Sequence, residues 1–165
     1  MAVVNTKSTA ITNADNTPAD LNPGYQSRGV LREAVSTLEA VNGDSIGSTY
    51  RMVRVWSGWR VSDVILDCDA ITTCAGDVGL YRTAADGGAV VDADFFASAQ
   101  SLATALASQN VTNESGVVDI ANKGKRLWEM LALTTDPGVW YDITVTLTAA
   151  AASAGTITLR ARFAE

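Results

Sequence analysis

Every second residue is apolar from Val139 to Leu147, and again from Ile157 to Phe163. In the first run Val139, Tyr141, Ile143, Val145 and Leu147 alternate with Trp140, Asp142 and threonines. In the second, Ile157, Leu159, Ala161 and Phe163 alternate with Thr156, Thr158, Arg160 and Arg162. Side chains of a strand point alternately to its two faces, so each run is a strand with one buried and one polar side. Antiparallel sheets commonly have this character, packed on one face and wet on the other. The small, flexible AAAASAG between the runs makes them either a hairpin or a pair that crosses between sheets.

The stretch Ser48 to Thr83 repeats the theme. Tyr50, Met52, Arg54 and Trp56 fall on one side of a strand, with Arg51, Val53 and Val55 on the other. Ser57-Gly58 interrupts the pattern and reads as a hairpin turn, since glycine reaches the positive φ that tight turns need. A loop of this kind would set Trp56 opposite Trp59 on one face, where an aromatic cross-strand pair fixes the register. In the strand from Arg60 to Ala70, residues Val64, Leu66, Cys68 and Ala70 form the apolar face. Asp63, Asp67 and Asp69, with Val61 and Ile65 between them, form the other. Asp77 to Arg82 is a further short strand.

Elsewhere the period is less decisive. Residues 30–41 fit a strand, favoured by the Asn42-Gly43-Asp44 turn that follows, although Leu31, Val35 and Leu38 also suit a helix. Residues 92–107 and 126–133 are open between helix and strand. Ala89 to Val91 and Val117 to Ile120 are short β-prone pieces, and Gln109 to Gly116 reads as loop. Asp86-Gly87-Gly88 and Asp136-Pro137-Gly138 are strong turns. About eight short strands separated by Gly, Asp and Asn turns predict an all-β fold, an antiparallel β-sandwich of jelly-roll type spanning 29–165. Residues 1–28 have no sustained period and read as an N-terminal arm. Such a segment is either a disordered tail or an arm that orders against a neighbour, and fully extended it would reach about 90 Å. Val3, Val4, Ile11, Leu21 and Tyr25 are its apolar anchors.

Composition narrows the function. The chain has 165 residues, enough for one domain, and no histidine. The commonest general base and metal ligand is therefore absent, and no phosphate-binding glycine loop is present: Gly76-Asp77-Val78-Gly79 matches no such pattern. No catalytic residue, cofactor or metal is expected, and the chain reads as a non-enzyme. Paired acids such as Asp67/Asp69 and Asp92/Asp94 fit a solvated strand face better than glycoside cleavage. Net charge is −6, and the segment Asp63–Asp94 alone supplies it, with seven acids against Arg82. A negative field disfavours nucleic acid. No run is long and apolar enough to span a membrane. The first residues do not resemble a secretory signal, which makes reduced thiols the default for Cys68 and Cys74, with a disulfide the alternative.

The runs GSTYRMVRVWSGWRVSDVILDCDAI, DVGLYRT, KRLWEMLALTTDPGVWYDITVTLT and GTITLRARF, in that order, resemble the head decoration or capsid cement proteins of tailed bacteriophages. The resemblance covers roughly Gly29 to Phe163. It implies a small jelly-roll or β-tulip-like module on the outer capsid surface, self-associated as a dimer or trimer and bridging major capsid protein subunits. It also implies a product made in the host cytoplasm that ends in the virion. An N-terminal arm reaching across capsomers fits residues 1–28. The expected partner contacts are Ile11, Leu21, Tyr25, Trp56 and Trp59. The alternative is a receptor- or carbohydrate-binding module of a tail fibre, using exposed tryptophans.

Overall fold

The alternating runs are strands, and their apolar members are the core. The computed structural model describes Val4 and residues 6–165. Its strands are β1 (Leu31–Ala40), β2 (Thr49–Trp56), β3 (Arg60–Cys68), β4 (Ala75–Arg82), β5 (Val90–Ser101), β6 (Leu106–Asn110), β7 (Trp140–Ala149) and β8 (Gly155–Ala164). They form two four-stranded sheets, ordered β1-β8-β3-β6 and β2-β7-β4-β5. All the ladders are antiparallel. Only the β4–β5 connection stays within one sheet; every other strand-to-strand connection crosses to the other. That order is the jelly roll. Val55, Leu66, Val78, Leu80, Ile143 and Leu159 are among the buried side chains that fill the space between the sheets.

Topology corrects the expected hairpin at Ser57-Gly58. β2 and β3 lie in different sheets, so Trp56 is not opposite Trp59; its cross-strand partner is Trp140 of β7. The small AAAASAG connection is likewise a sheet crossing. Parity also shifts along β3. A register irregularity between Val61 and Asp63 turns Val61 into the core. The strand ends at Cys68, which leaves Ala70 exposed and makes Ile71 the next buried residue.

The ambiguous segments resolve one by one. Residues 31–40 are a strand, and 90–101 are a strand whose shifted register against β4 buries Phe95, Phe96 and Ala97 in succession. Residues 106–110, expected in part as loop, form β6, whereas Val117 to Ile120 contains no strand. Within 126–133 lies a short helix, α2 (Leu127–Met130), where the Glu129 carboxylate accepts a 2.6 Å hydrogen bond from the Arg126 N–H. This is the reciprocal half of a capping box.

The N-terminal segment carries α1 (Thr9–Asp15), capped by Ser8, whose hydroxyl accepts from the Ile11 N–H at 3.3 Å. No α1 residue is buried. The chain then folds back: Asp20 N–H donates to the Asn13 carbonyl, and Asn13 Nδ2 donates to Asn22 Oδ1, each at 2.9 Å.

Candidate functional site

The β2–β3 crossing, the start of β7 and α2 bring the tryptophans to one end of the sandwich. Trp140 lies between Trp56 and Trp59, with ring centroids 5.0 and 5.3 Å away and planes inclined at 67° and 88°. Trp59 in turn stacks on Phe163 at 4.7 Å, nearly parallel. Edge-to-face and offset-stacked rings are the favoured aromatic arrangements, so this is a packed cluster rather than an open platform. Trp140 is the most solvent-accessible member, 41 % exposed.

The β2–β3 crossing is locked from below. The buried Ser57 hydroxyl donates to Asp136 Oδ1 at 2.5 Å and accepts from the Val139 N–H at 3.1 Å. Asp136 also accepts from the Gly138 N–H, at 2.9 Å. α2 joins through backbone bonds from Leu127 N–H to the Trp59 carbonyl and from Trp128 N–H to the Ser57 carbonyl. A side chain at Gly58 would stand 2.7 Å from Asp136 Oδ2. The sequence signal for a tight turn was therefore real, but the turn serves a crossing.

Tyr25 belongs to the same end. The Arg126 guanidinium sits 4.3 Å above its ring, and Arg60 Nε donates to its carbonyl at 2.8 Å. Gln26 Nε2 adds a bond to the Gly124 carbonyl at 3.1 Å. Tyr25, Trp56 and Trp59 are thus neighbours in one region. Ile11 and Leu21 are not part of it: they lie on the α1 segment, 52 % and 89 % exposed. Val3 lies outside the described residues.

Sequence reasoning missed a buried charge. Asp142, opposite Arg54 in the β2–β7 ladder, is held by Arg54 Nε at 2.7 Å and Arg51 Nη1 at 3.1 Å. Arg51 also donates to the Arg82 and Gly88 carbonyls, tying β2 to the β4–β5 connection. Alternation placed Asp142 on the polar side of the Val139–Leu147 run. The acidic stretch has a structural role too. Asp67 accepts from the N–H of Ser108 at 2.5 Å and Asp77 from that of Ala99 at 2.6 Å. Both donors are left-handed residues, at φ +53° and +49°. These carboxylates pin the irregular edges of β6 and β5.

Among the described residues no group of three or more Cys, Asp or Glu is placed to hold a metal ion, and no helix is long and apolar enough to cross a membrane. Cys68 and Cys74 are free and buried, and burial pushes both thiols above their ordinary pKa, which disfavours the reactive thiolate. A recess lined by Arg82, Asp92, Phe95, Met130, Leu133 and Tyr141 lies at the β5 edge. There Arg82 is occupied by Asp86 at 3.1 Å and by the Tyr141 ring.

Partial burial and then the neighbouring Asp94 raise the Asp92 pKa. The charged form is therefore the costly one in the fold, and stability is lost as pH rises from the unfolded pKa through the raised folded one. Asp92→Asn is expected to raise the melting temperature at pH 7 and to leave it unchanged at pH 3, measured by thermal melts at both.

No family model matches this sequence, and no curated protein does. Among solved structures, the chain is similar to one in the cyanophage Pam1 capsid asymmetric unit, with a TM-score of 0.52 and 13% identity. That alignment covers 91% of this chain and 96% of the other. The likeness is one of fold. A looser likeness joins it to a chain of the acidic stable capsid structure of Helicobacter pylori bacteriophage KHP30, at a TM-score of 0.40 and 15% identity, covering 82% and 94%.

Proposed function

We propose that this chain is a structural virion protein that binds the outer surface of a bacteriophage capsid and cements neighbouring major capsid protein subunits. The observation that carries the reading is the likeness of fold to a chain of a phage capsid asymmetric unit, which spans nearly the full length of both. The internal design supports it: aromatic rings, buried carboxylate and glycines serve packing, and none is arranged for turnover. The N-terminal segment supports it as well. It is tethered to the sandwich at Tyr25 and Gln26, while Ile11 and Leu21 present apolar surface to solvent. In this reading residues 1–28 are an arm whose exposed anchors engage an adjacent subunit. The chain is made in the host cytoplasm, self-associates as a dimer or trimer and is added in many copies, so that modest contacts act together through effective concentration. The glycan-binding alternative is less well supported. Trp59 has a face covered by Phe163, and the rings around Trp140 are inclined, so no flat stacking surface is presented.

Quantitative mass spectrometry of purified source particles tests the reading. Copies in a simple ratio to the major shell protein are expected; a handful per particle would point to a tail component, and absence would remove the virion role. Deleting residues 1–24, which keeps Tyr25, is expected to leave the circular dichroism spectrum of the sandwich intact and to weaken capsid binding. Unchanged binding would eliminate the arm's clamping role.

A further inference from the structure

Sheet edges are exposed backbone, and three of the four edges of this sandwich are blunted. β2 has a register irregularity between Arg51 and Val53. β5 shifts register three times against β4. β6 is five residues long, shifts once and carries the left-handed Ser108. β1 has none of these devices. It is the outer strand of its sheet and pairs with β8 through ten consecutive residues without a shift. It contains neither proline nor lysine, and its charged residues are Arg32, Glu33 and Glu39. Folded proteins interrupt, charge or cover such edges because each is a template for another strand.

The direction of the free groups follows from one bond. Glu165 N–H donates to the Val30 carbonyl at 3.3 Å, bracketing the Leu31–Ala164 pair. Leu31 is therefore at a non-hydrogen-bonded position, and its own N–H and C=O point away from β8. Alternation gives Glu33, Val35, Thr37 and Glu39 the same orientation. The array stops at Val41, whose N–H is taken by Asp44 Oδ2 at 2.9 Å. The same five residues turn their side chains to solvent, with Leu31 60% and Val35 57% exposed.

We propose that β1 is a homodimer interface, pairing antiparallel with β1 of a second copy about a two-fold axis at Val35. This deepens the self-association named above but does not depend on the capsid. The occupant is argued from register. Centred on Val35, all five residues with free main-chain groups are paired: Val35 with the Val35 of the second copy, Glu33 with its Thr37, and Leu31 with its Glu39. No like charges are then opposite. Centring on Glu33 sets that carboxylate against itself, and centring on Ser36 sets Glu33 against Glu39; like charges directly opposite are destabilising. The contact is isologous, so it closes as a dimer and not as a trimer. It fuses the two β1-containing sheets into one, ordered β6-β3-β8-β1-β1-β8-β3-β6.

Sedimentation of the purified full chain over a wide concentration range tests the proposal. A reversible dimer is expected, and Val35→Lys is expected to raise its dissociation constant at least about tenfold, through a charge opposite its own copy. Its far-UV circular dichroism should not change, since Val35 is a solvent-facing residue. Val35→Cys should cross-link to a disulfide dimer under mild oxidation, because directly opposite residues of a hydrogen-bonded pair have Cα atoms about 5.5 Å apart. Thr37→Cys, which faces Glu33 of the second copy, should not. A chain that stays monomeric, a trimer, or a dimer that ignores Val35→Lys and fails to cross-link at position 35 would each overturn it. None of these readouts uses a capsid, so the failure of this interface and the failure of the virion role are separable.

Discussion

Gly79→Ala is expected to destabilise the protein by about 3 kcal/mol or more, the largest effect of any single methyl group in the fold. Between Val78 and Leu80, two steps along β4, the partner register on β5 runs from Ala97 to Asp92, five steps. The surplus residues arch across Gly79. A Cβ there would lie 2.2 Å from the Ala93 carbonyl group and from the Asp92 oxygen. The obstructing atoms are backbone, which cannot rotate away as a side-chain tip would. β5 must therefore lift, carrying with it Phe95 and Phe96, two fully buried rings packed edge to face at 4.9 Å. For a domain of this size the melting temperature should fall by roughly 6–12 °C. Gly124→Ala is the control, because its Cβ would meet only the flexible Gln26 amide at 3.5 Å, and it should be close to neutral. A Gly79→Ala variant that melts with the wild type would show that β5 does not cross there.

Gly79 also shows what alternation can and cannot disclose. The short motif Gly76-Asp77-Val78-Gly79 carried no ligand-binding pattern, and nothing local announces that a strand thirteen or more residues later will press on it. Long alternating runs were legible because each of β7 and β8 buries one face from end to end. β1 buries only Ala40 outright, so its pattern also suited a helix and the Asn-Gly turn that follows favoured the strand. Turn chemistry, in contrast, reports that the chain reverses, not which sheet receives it. Ser57-Gly58 looked like a hairpin because the partner that decides the matter, Trp140, lies far downstream. Irregularities in register erased parity in β2, β3 and β5 without a glycine to mark the spot, so Val61 and Met52 joined the core against the pattern. α1 was invisible because it buries nothing and so has no apolar face to leave a period.

The candidate contact residues divide along the same line. In the sequence Tyr25 is an anchor of the arm and Trp56 and Trp59 are an aromatic pair; the fold gathers the three by packing them on Arg126, Trp140 and Phe163. Much of their surface is already used. The features proposed above as partner contacts are different in kind: the exposed apolar residues of the α1 segment and the outward main chain of β1. The first is a side-chain feature that composition can flag. The second is a property of strand order, which requires knowing that β1 ends its sheet and that its ladder is unbroken.

Asp142→Ala is the second large effect expected, about 2–3 kcal/mol, and it should follow an ordered series. The carboxylate is 6% exposed and holds two guanidinium groups. Removing one partner of a buried ion pair is costly because the remaining charge loses its compensation. The cost is moderated here, since the Arg54 side chain is 55% exposed and water can take over its charge. Arg54→Ala should accordingly cost less than about 1 kcal/mol, as an exposed pair does. Arg51→Ala should fall between the two, because Arg51 is less exposed and also binds the carbonyls of Arg82 and Gly88. Urea denaturation of the three variants gives the ranking. Limited proteolysis adds a local readout: losing Asp142 or Arg51 should speed cleavage in the Ala84–Gly88 connection, whereas losing Arg54 should not. An Arg54→Ala variant as damaged as Asp142→Ala would place the stabilisation in the exposed pair and refute a clamp built on Arg51. The expected order instead makes Asp142 the point at which the edge strand β2 is fastened through β7 to the β4–β5 connection. It is the one buried carboxylate among the described residues, and its apparent place on a solvent face is why sequence reasoning passed over it.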